Sequence, residues 1–386
     1  MRTITTTEEL ALFCEAAKAQ PYVTIDTEFL RERTYWSKLC LIQMALPGTE
    51  GEAVLVDPIE GGDALSLAPL YDLFRHEATV KVFHAARQDL EIFFVEGGVF
   101  PQPLFDTQVA AMVCGYGEQV GYETLVKKIA KANLDKTSRF TDWSRRPLSE
   151  AQKEYALADV THLRQVYESL SAQIAKSGRA HWVGEELAVL TDPETYTVRP
   201  AEAWMRIKTR TTSGKFLAVV KALAQFREEY AQKNNVPRSR VMKDDALLEV
   251  ASTKPLTHED LGKSRLLLRE GRRGDIADGI IAAVKAGLEM RPEDMPRIDA
   301  QHEQKQVNPA LADLLRVLLK AKSESLGVAS RLIASASELD SIAAGERDLP
   351  SLTGWREEAF GADALRLCQG EIALTAKGHQ VRVVRL

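Results

Sequence analysis

The hydrophobic pattern changes character halfway along the chain. Residues 21–29, 39–46 and 52–57 read as three strands, with Pro47-Gly48 and Asp57-Pro58 in the turns. Leu65 to His76 has helical spacing. Val80 to Phe83 is a short apolar strand, and Ala85 to Val95 follows it as a helix. Thr107 to Cys114 and Tyr122 to Ala132 read as further helices. Ser149 as N-cap, with Glu150 in the first turn, opens a helix that runs to about Ala175. Hairpin-like strands followed by alternating strands and helices predict an α/β domain with a mixed sheet over residues 1–192.

Beyond Asp192 the strand signal vanishes. Thr191 to Pro200 reads as a connector. After it, Phe216, Val219, Val220, Leu223 and Phe226 keep helical spacing, as do Leu311, Leu314, Leu315 and Leu318. A weak repeat runs through this half at an offset of 92 residues. It pairs Val236 with Val328, Val241 with Ile333, Leu247 with Leu339, Val250 with Ile342, Ala251 with Ala343 and Gly262 with Gly354. Chance matching of amphipathic helices is the competing explanation; agreement in one register favours duplication. The expected organisation is residues 1–192, a linker at 193–203, an all-α domain at 204–290, a linker at 291–307 and a second all-α domain at 308–386.

Composition narrows the class. Of 386 residues, 45% are hydrophobic, so sizeable cores are available and global disorder is excluded. No apolar run approaches a membrane span, and the Met1-Arg-Thr-Ile-Thr start lacks a signal-peptide core. Four scattered cysteines form no C-x-x-C pair, which fits a reducing cytoplasm. The net charge of −5 hides an asymmetry. Residues 1–200 carry 20 Lys+Arg against 29 Asp+Glu, whereas residues 201–310 carry 20 against 16. Trp204 to Lys243 holds ten basic residues and two acidic ones. An acidic half joined to a basic half suits an enzyme that handles a polyanion; a solvated helix face gives the same count.

The chemistry begins in Tyr22-Val-Thr-Ile-Asp-Thr-Glu-Phe29. Strand side chains alternate, so Asp26 and Glu28 share a face. Two adjacent carboxylates repel unless a positive charge holds them, and a divalent cation is the natural partner. Asp89 sits on a helix just beyond a short strand. Tyr155 and Asp159 lie four apart on one helical face. Phosphodiester hydrolysis needs a neutralised phosphate, an activated water and a stabilised leaving oxygen, and two hard divalent ions ~3.5–4 Å apart supply all three. Such ions take several converging carboxylates. A tyrosine hydroxyl, with its pKa near ~10, orients a water rather than acting as a strong base. Each residue alone has a duller reading as a strand edge, a helix cap or an exposed helix face. Asp106 is read as the cap of the next helix and is kept out of the metal set.

The Asp-Thr-Glu, His-Ala-Ala-Arg-Gln-Asp and Tyr-x-x-x-Asp segments together resemble the three motifs of the DEDD exonucleases, in the subgroup with tyrosine in its last motif. Phe29 to Gln43 and Asp135 to Leu148 resemble the bacterial ribonuclease D family more closely. The helical repeats resemble the helicase-and-ribonuclease-D C-terminal (HRDC) domain, present twice, although the second copy lacks the Asn234-Asn-Val-Pro237 stretch. The resemblance implies a ribonuclease H-like exonuclease domain followed by two all-α HRDC-like domains. It implies that Asp26, Glu28, Asp89 and Asp159 hold two Mg²⁺ or Mn²⁺ ions. Asp26 would bridge them, Asp89 would act through water, and Tyr155 would position the attacking water. Nucleoside 5′-monophosphates would leave from a 3′ end.

Other residues divide between substrate contact and structure. His84 is a phosphate contact or a structural histidine. Phe29 and Leu30 wedge a terminal base or pack the core, and Gln43 meets substrate or backbone. Arg139, Arg145 and Arg146 surround Trp143, either as a nucleic-acid contact or as a loop pinned by the tryptophan. Lys208, Arg210, Lys215, Arg238, Arg240 and Lys243 are candidate phosphate contacts. The favoured reading is a cytoplasmic 3′-to-5′ exoribonuclease acting on tRNA precursors and other structured RNA with a single-stranded 3′ end. Without an oligomer signal, a monomer is the default. The rivals are a 3′-to-5′ DNA exonuclease and a nucleic-acid-binding module with an inactive nuclease domain.

Overall fold

The computed structural model describes residues 1–135, 138, 141–211, 213–297 and 307–386. The chain forms two compact bodies that do not follow chain order. One contains Met1–Glu28, Cys40–Thr195 and Gln301–Leu386. The other contains Phe29–Leu39 and Tyr196–Ala300.

The first body is built on a six-stranded sheet. Its strands are β1 (Arg2–Ile4), β2 (Tyr22–Leu30), β3 (Lys38–Ala45), β4 (Ala53–Val56), β5 (Val80–Phe83) and β6 (Leu104–Asp106), in the order β1-β4-β3-β2-β5-β6. β4 runs antiparallel to β3 and parallel to β1, and β5 runs parallel to both β2 and β6, so the sheet is mixed as expected. Leu39 to Ala45 of β3 are all buried, as befits a central strand covered on both faces. β2 behaves differently at its end. Ile25 and Thr27 are buried, whereas Asp26 and Glu28 keep partial exposure. The strand therefore opens one face to solvent where the two carboxylates lie.

The Glu150–Ser177 helix crosses this sheet. Ser149 and Gln152 close a reciprocal capping box at its start. Ala156, Val160, Leu163, Val166, Leu170 and Ile174 are buried at helical spacing. The Thr24 hydroxyl donates to the Val160 carbonyl at 2.8 Å, and Arg164 donates to the carbonyls of Gly48 and Gly51. The helix is thus tied to β2 and to the β3–β4 turn, with Asp159 five and Tyr155 nine residues before Arg164.

The C-terminal helices Pro309–Leu326, Ser330–Ile333, Ala336–Ala343 and Ala362–Gln369 share a core with this domain. Trp182 stacks on Trp355 with ring centroids 4.6 Å apart. The Trp355 indole N–H donates to Glu186 at 2.8 Å, and Arg356 pairs with the same carboxylate at 2.7 Å. Gly115 is required nearby: at φ +79°, a Cβ would lie 2.5 Å from the Gly327 carbonyl oxygen.

Two expectations need correction. The C-terminal part is not all-α, because β7 (Ile372–Lys377) and β8 (Gln380–Arg385) form an antiparallel hairpin turning at Gly378. Its strands are only six residues each, and the helical rhythm before them hid the change of period. The repeat also slips. The helices Arg238–Val241 and Asp244–Thr253 recur 92 residues later as Ser330–Ile333 and Ala336–Ala343. The next glycine pair is not Gly262 and Gly354. Gly274 and Gly354, 80 residues apart, each open a helix with positive φ, +58° and +54°.

In the second body the Gly214–Lys233 and Gly274–Glu289 helices pack closely. A Cβ on Gly287 would lie 2.6 Å from the Val219 backbone, so only glycine permits this approach. Val219, Val220, Leu223, Ile280 and Val284 form the core between them.

Candidate active site

Asp26, Glu28 and Asp159 converge. One carboxylate oxygen from each lies within 4.8 Å of the others. Strand alternation brings the first two to one face, and the pinned Glu150–Ser177 helix brings the third over them. Asp89 enters from the first turn of the Arg87–Gly97 helix and is buried; the Thr27 hydroxyl donates to it. Asp26 and Asp89 are both held well above the usual carboxylate range. Loss of hydration is the first cause in each case. The charge of Asp159 adds to it at Asp26, and that of Asp26 at Asp89, while Thr27 opposes the shift at Asp89. Converging carboxylate oxygens are hard donors, and such a set fits a divalent cation.

Tyr155 lies one helical turn before Asp159, and its ring centroid is 6.1 Å from that of Trp143. Trp143 is buried, which favours the pinned-loop reading over base stacking. Arg146 is corrected. It donates to both Asp57 oxygens at 2.5 and 2.6 Å, and to the carbonyls of Trp143, Arg145 and Cys40. All five guanidinium donors are engaged, so none is left for a phosphate. Arg145 projects into solvent beside Asp142. Arg139 lies outside the described residues.

Asp106 caps the Thr107–Val113 helix and also accepts from the backbone N–H groups of Ala85 and Ala86. It fixes the turn that leads into the Asp89 helix. His84 Nδ1 is 2.9 Å from the Thr107 hydroxyl, and its ring lies 5.5 Å from that of Tyr122. Burial holds its pKa below the ordinary value. Phe29 and Leu30 are half-buried, and Gln43 is fully buried. Thr27 and Asp57 were missed as supporting residues. The only sequence signal was their position, between two candidate ligands and before a proline.

Within the second body, Lys208, Arg210, Lys215, Arg240 and Lys243 are exposed. Arg238 differs: it pairs with buried Glu228 at 2.6 Å and donates to the Tyr35 hydroxyl.

The chain matches the 3′-5′ exonuclease family model over residues 1–175 and the HRDC domain model over residues 216–284. Ribonuclease D of Jannaschia sp. is 64% identical over 385 residues, covering 100% of this chain and 99% of that protein. Ribonuclease D of Granulibacter bethesdensis is 48% identical, covering 99% and 96%. Among solved structures, Escherichia coli RNase D, described as an exoribonuclease involved in structured RNA processing, superposes with a TM-score of 0.83 at 28% identity. It covers 96% of this chain and 98% of that one. With near-complete coverage at high identity, and with the carboxylates of all three motifs present, the chain belongs to the bacterial ribonuclease D family of 3′-to-5′ exoribonucleases.

Proposed function

We propose that Asp26, Glu28, Asp89 and Asp159 hold two divalent cations, Mg²⁺ or Mn²⁺, and that the site hydrolyses RNA from its 3′ end to nucleoside 5′-monophosphates. The observation that carries this reading is the approach of Asp26, Glu28 and Asp159 to within 4.8 Å, beside a buried Asp89. When bound, the cations supply charge neutralisation on the phosphate and a water acidic enough to attack. The chain's own residues do the rest. The four carboxylates fix the positions of positive charge. The Tyr155 hydroxyl orients the attacking water by hydrogen bonding, as expected for the tyrosine subgroup. Thr27 orients Asp89.

The proposed substrates are tRNA precursors and other structured RNAs with a single-stranded 3′ end. The description of the Escherichia coli relative supports this. Lys208, Arg210 and Arg240 of the HRDC domain would grip phosphates without reading sequence. Arg145, His84 and Phe29 are retained as candidate contacts near the scissile end. Residues 308–386 are read as a second, shortened HRDC-like domain. Its first helices repeat those of the matched HRDC domain, and it carries a terminal hairpin of its own. The proposed state is a cytoplasmic monomer; among the described residues, no helix is long and apolar enough to cross a membrane.

The test is digestion of 5′-labelled and 3′-labelled RNA, with a matched DNA, under Mg²⁺, Mn²⁺ or chelator. Stepwise shortening of the 5′-labelled RNA and early release of the 3′ label as mononucleotide are expected. Metal-independent turnover, or a preference for DNA, would overturn the reading.

A further inference from the structure

Tyr35 is gripped by one end of the Gly214–Lys233 helix, inside the second body. Its hydroxyl donates to Glu228, accepts from Gln232 at 3.2 Å and accepts from Arg238 at 3.0 Å. The Arg238 guanidinium also lies 5.1 Å from the Tyr35 ring centroid. Glu228 is only 1% exposed, so this network is buried at its centre.

Asn235 adds a second grip. It follows the helix in the left-handed conformation, φ +48°, as a helix-ending motif requires. Its N–H bonds to the Gln232 carbonyl, and the next N–H bonds to that of Ala231. That conformation leaves its side-chain oxygen accepting from the backbone N–H groups of both Tyr35 and Trp36, at 3.0 Å each.

The gripped segment, Phe29–Leu39, is the direct continuation of the strand that carries Asp26 and Glu28. Metal-binding carboxylates must be held to about 0.5 Å. Here two of them sit at the partly exposed end of a strand.

We propose that Tyr35 and Asn235 are positioning residues for the exonuclease reaction, through which the HRDC domain latches the segment following Asp26 and Glu28. The proposal rests on the metal-ligand assignment above. It gives the HRDC domain a role separate from gripping RNA. Hydrolysis of a short, unstructured oligonucleotide depends on that domain as well.

Asn235→Gly is the sharpest test. Glycine keeps the left-handed turn and removes only the side-chain acceptor. In the full chain, with Mn²⁺ and an unstructured four-nucleotide RNA, kcat is expected to fall about tenfold, with KM within about twofold. Calorimetric titration with Mn²⁺ alone should show about tenfold weaker binding. Asn235→Asp keeps the acceptor and should restore both. Tyr35→Phe should repeat the kcat loss. Unchanged kcat and Mn²⁺ affinity in Asn235→Gly, beside an inactive Asp26→Asn control, would overturn the latch alone. Full turnover in Asp26→Asn would instead remove the site assignment.

Discussion

The Thr27 hydroxyl donates to the Asp89 carboxylate across 62 residues of chain. It joins the strand that carries Asp26 and Glu28 to the helix that carries the fourth acid. Thr27 sits between two candidate ligands, yet its side chain points to the second acidic segment. A carboxylate oriented in this way presents a defined oxygen to a cation or its water.

Thr27→Val keeps the shape and removes the donor. Catalytic efficiency is expected to fall about 10- to 100-fold, with more Mn²⁺ needed for half-maximal rate. Steady-state rates across a Mn²⁺ titration check this. An unaltered metal dependence would leave Thr27 a packing residue.

Asp26→Asn removes one charge and one strong ligand from the centre of the cluster. Turnover should drop by about 10²- to 10³-fold or more. RNA affinity should persist, since the exposed cations of the HRDC domain are untouched. Electrophoretic mobility shifts, run beside single-turnover digestion, separate the two effects.

Much of this site was legible because its chemistry is local. Asp26 and Glu28 announce themselves by strand alternation, and Tyr155 and Asp159 by helical spacing. Asp89 was visible only in combination. The role of Arg146 was hidden because its partner Asp57 lies 89 residues away. No local pattern tells a phosphate-binding arginine from one that fills a buried fork. In the fold, β1 and β6 are three residues each, too short for a period to register. The β7–β8 hairpin sits at the end of a helical half whose rhythm dominated the reading. The slip of the repeat from an offset of 92 to 80 needed the positive φ of Gly274 and Gly354, which the sequence does not print.

Arg146→Met separates structure from substrate contact. Asp57 is 1% exposed and also caps the backbone at Ile59 and Glu60, so losing its partner leaves a buried charge. Stability should fall by about 3–5 kcal/mol. At a temperature where the variant stays folded, KM for RNA should be unchanged. Urea unfolding followed by tryptophan fluorescence, with KM measured in parallel, tests both halves.

Trp355→Ala removes one face of the stack on Trp182, and with it the donor to Glu186. Trp355 is among the largest fully buried side chains. A loss of about 3–5 kcal/mol is expected from the cavity and the lost transfer energy. The C-terminal helices share their core with the exonuclease domain, so one cooperative transition should shift as a whole. Calorimetry showing an early, separate transition would mean that these helices unfold independently.

Salt dependence tests the basic surface of the second body. Lys208, Arg210 and Arg240 are exposed, whereas Arg238 is committed to Glu228 and Tyr35. Replacing the three exposed cations with glutamine should weaken RNA binding at low salt. Each phosphate contact to a single strand contributes about 0.7 to the slope of log K against log salt, so the triple variant should lower that slope by about 2. The latch residues are spared, so kcat on a four-nucleotide RNA should stay at the parent value while affinity for a long structured RNA falls. If instead the slope is unchanged, these three side chains touch no phosphate, and the grip on RNA has to lie elsewhere on the molecule.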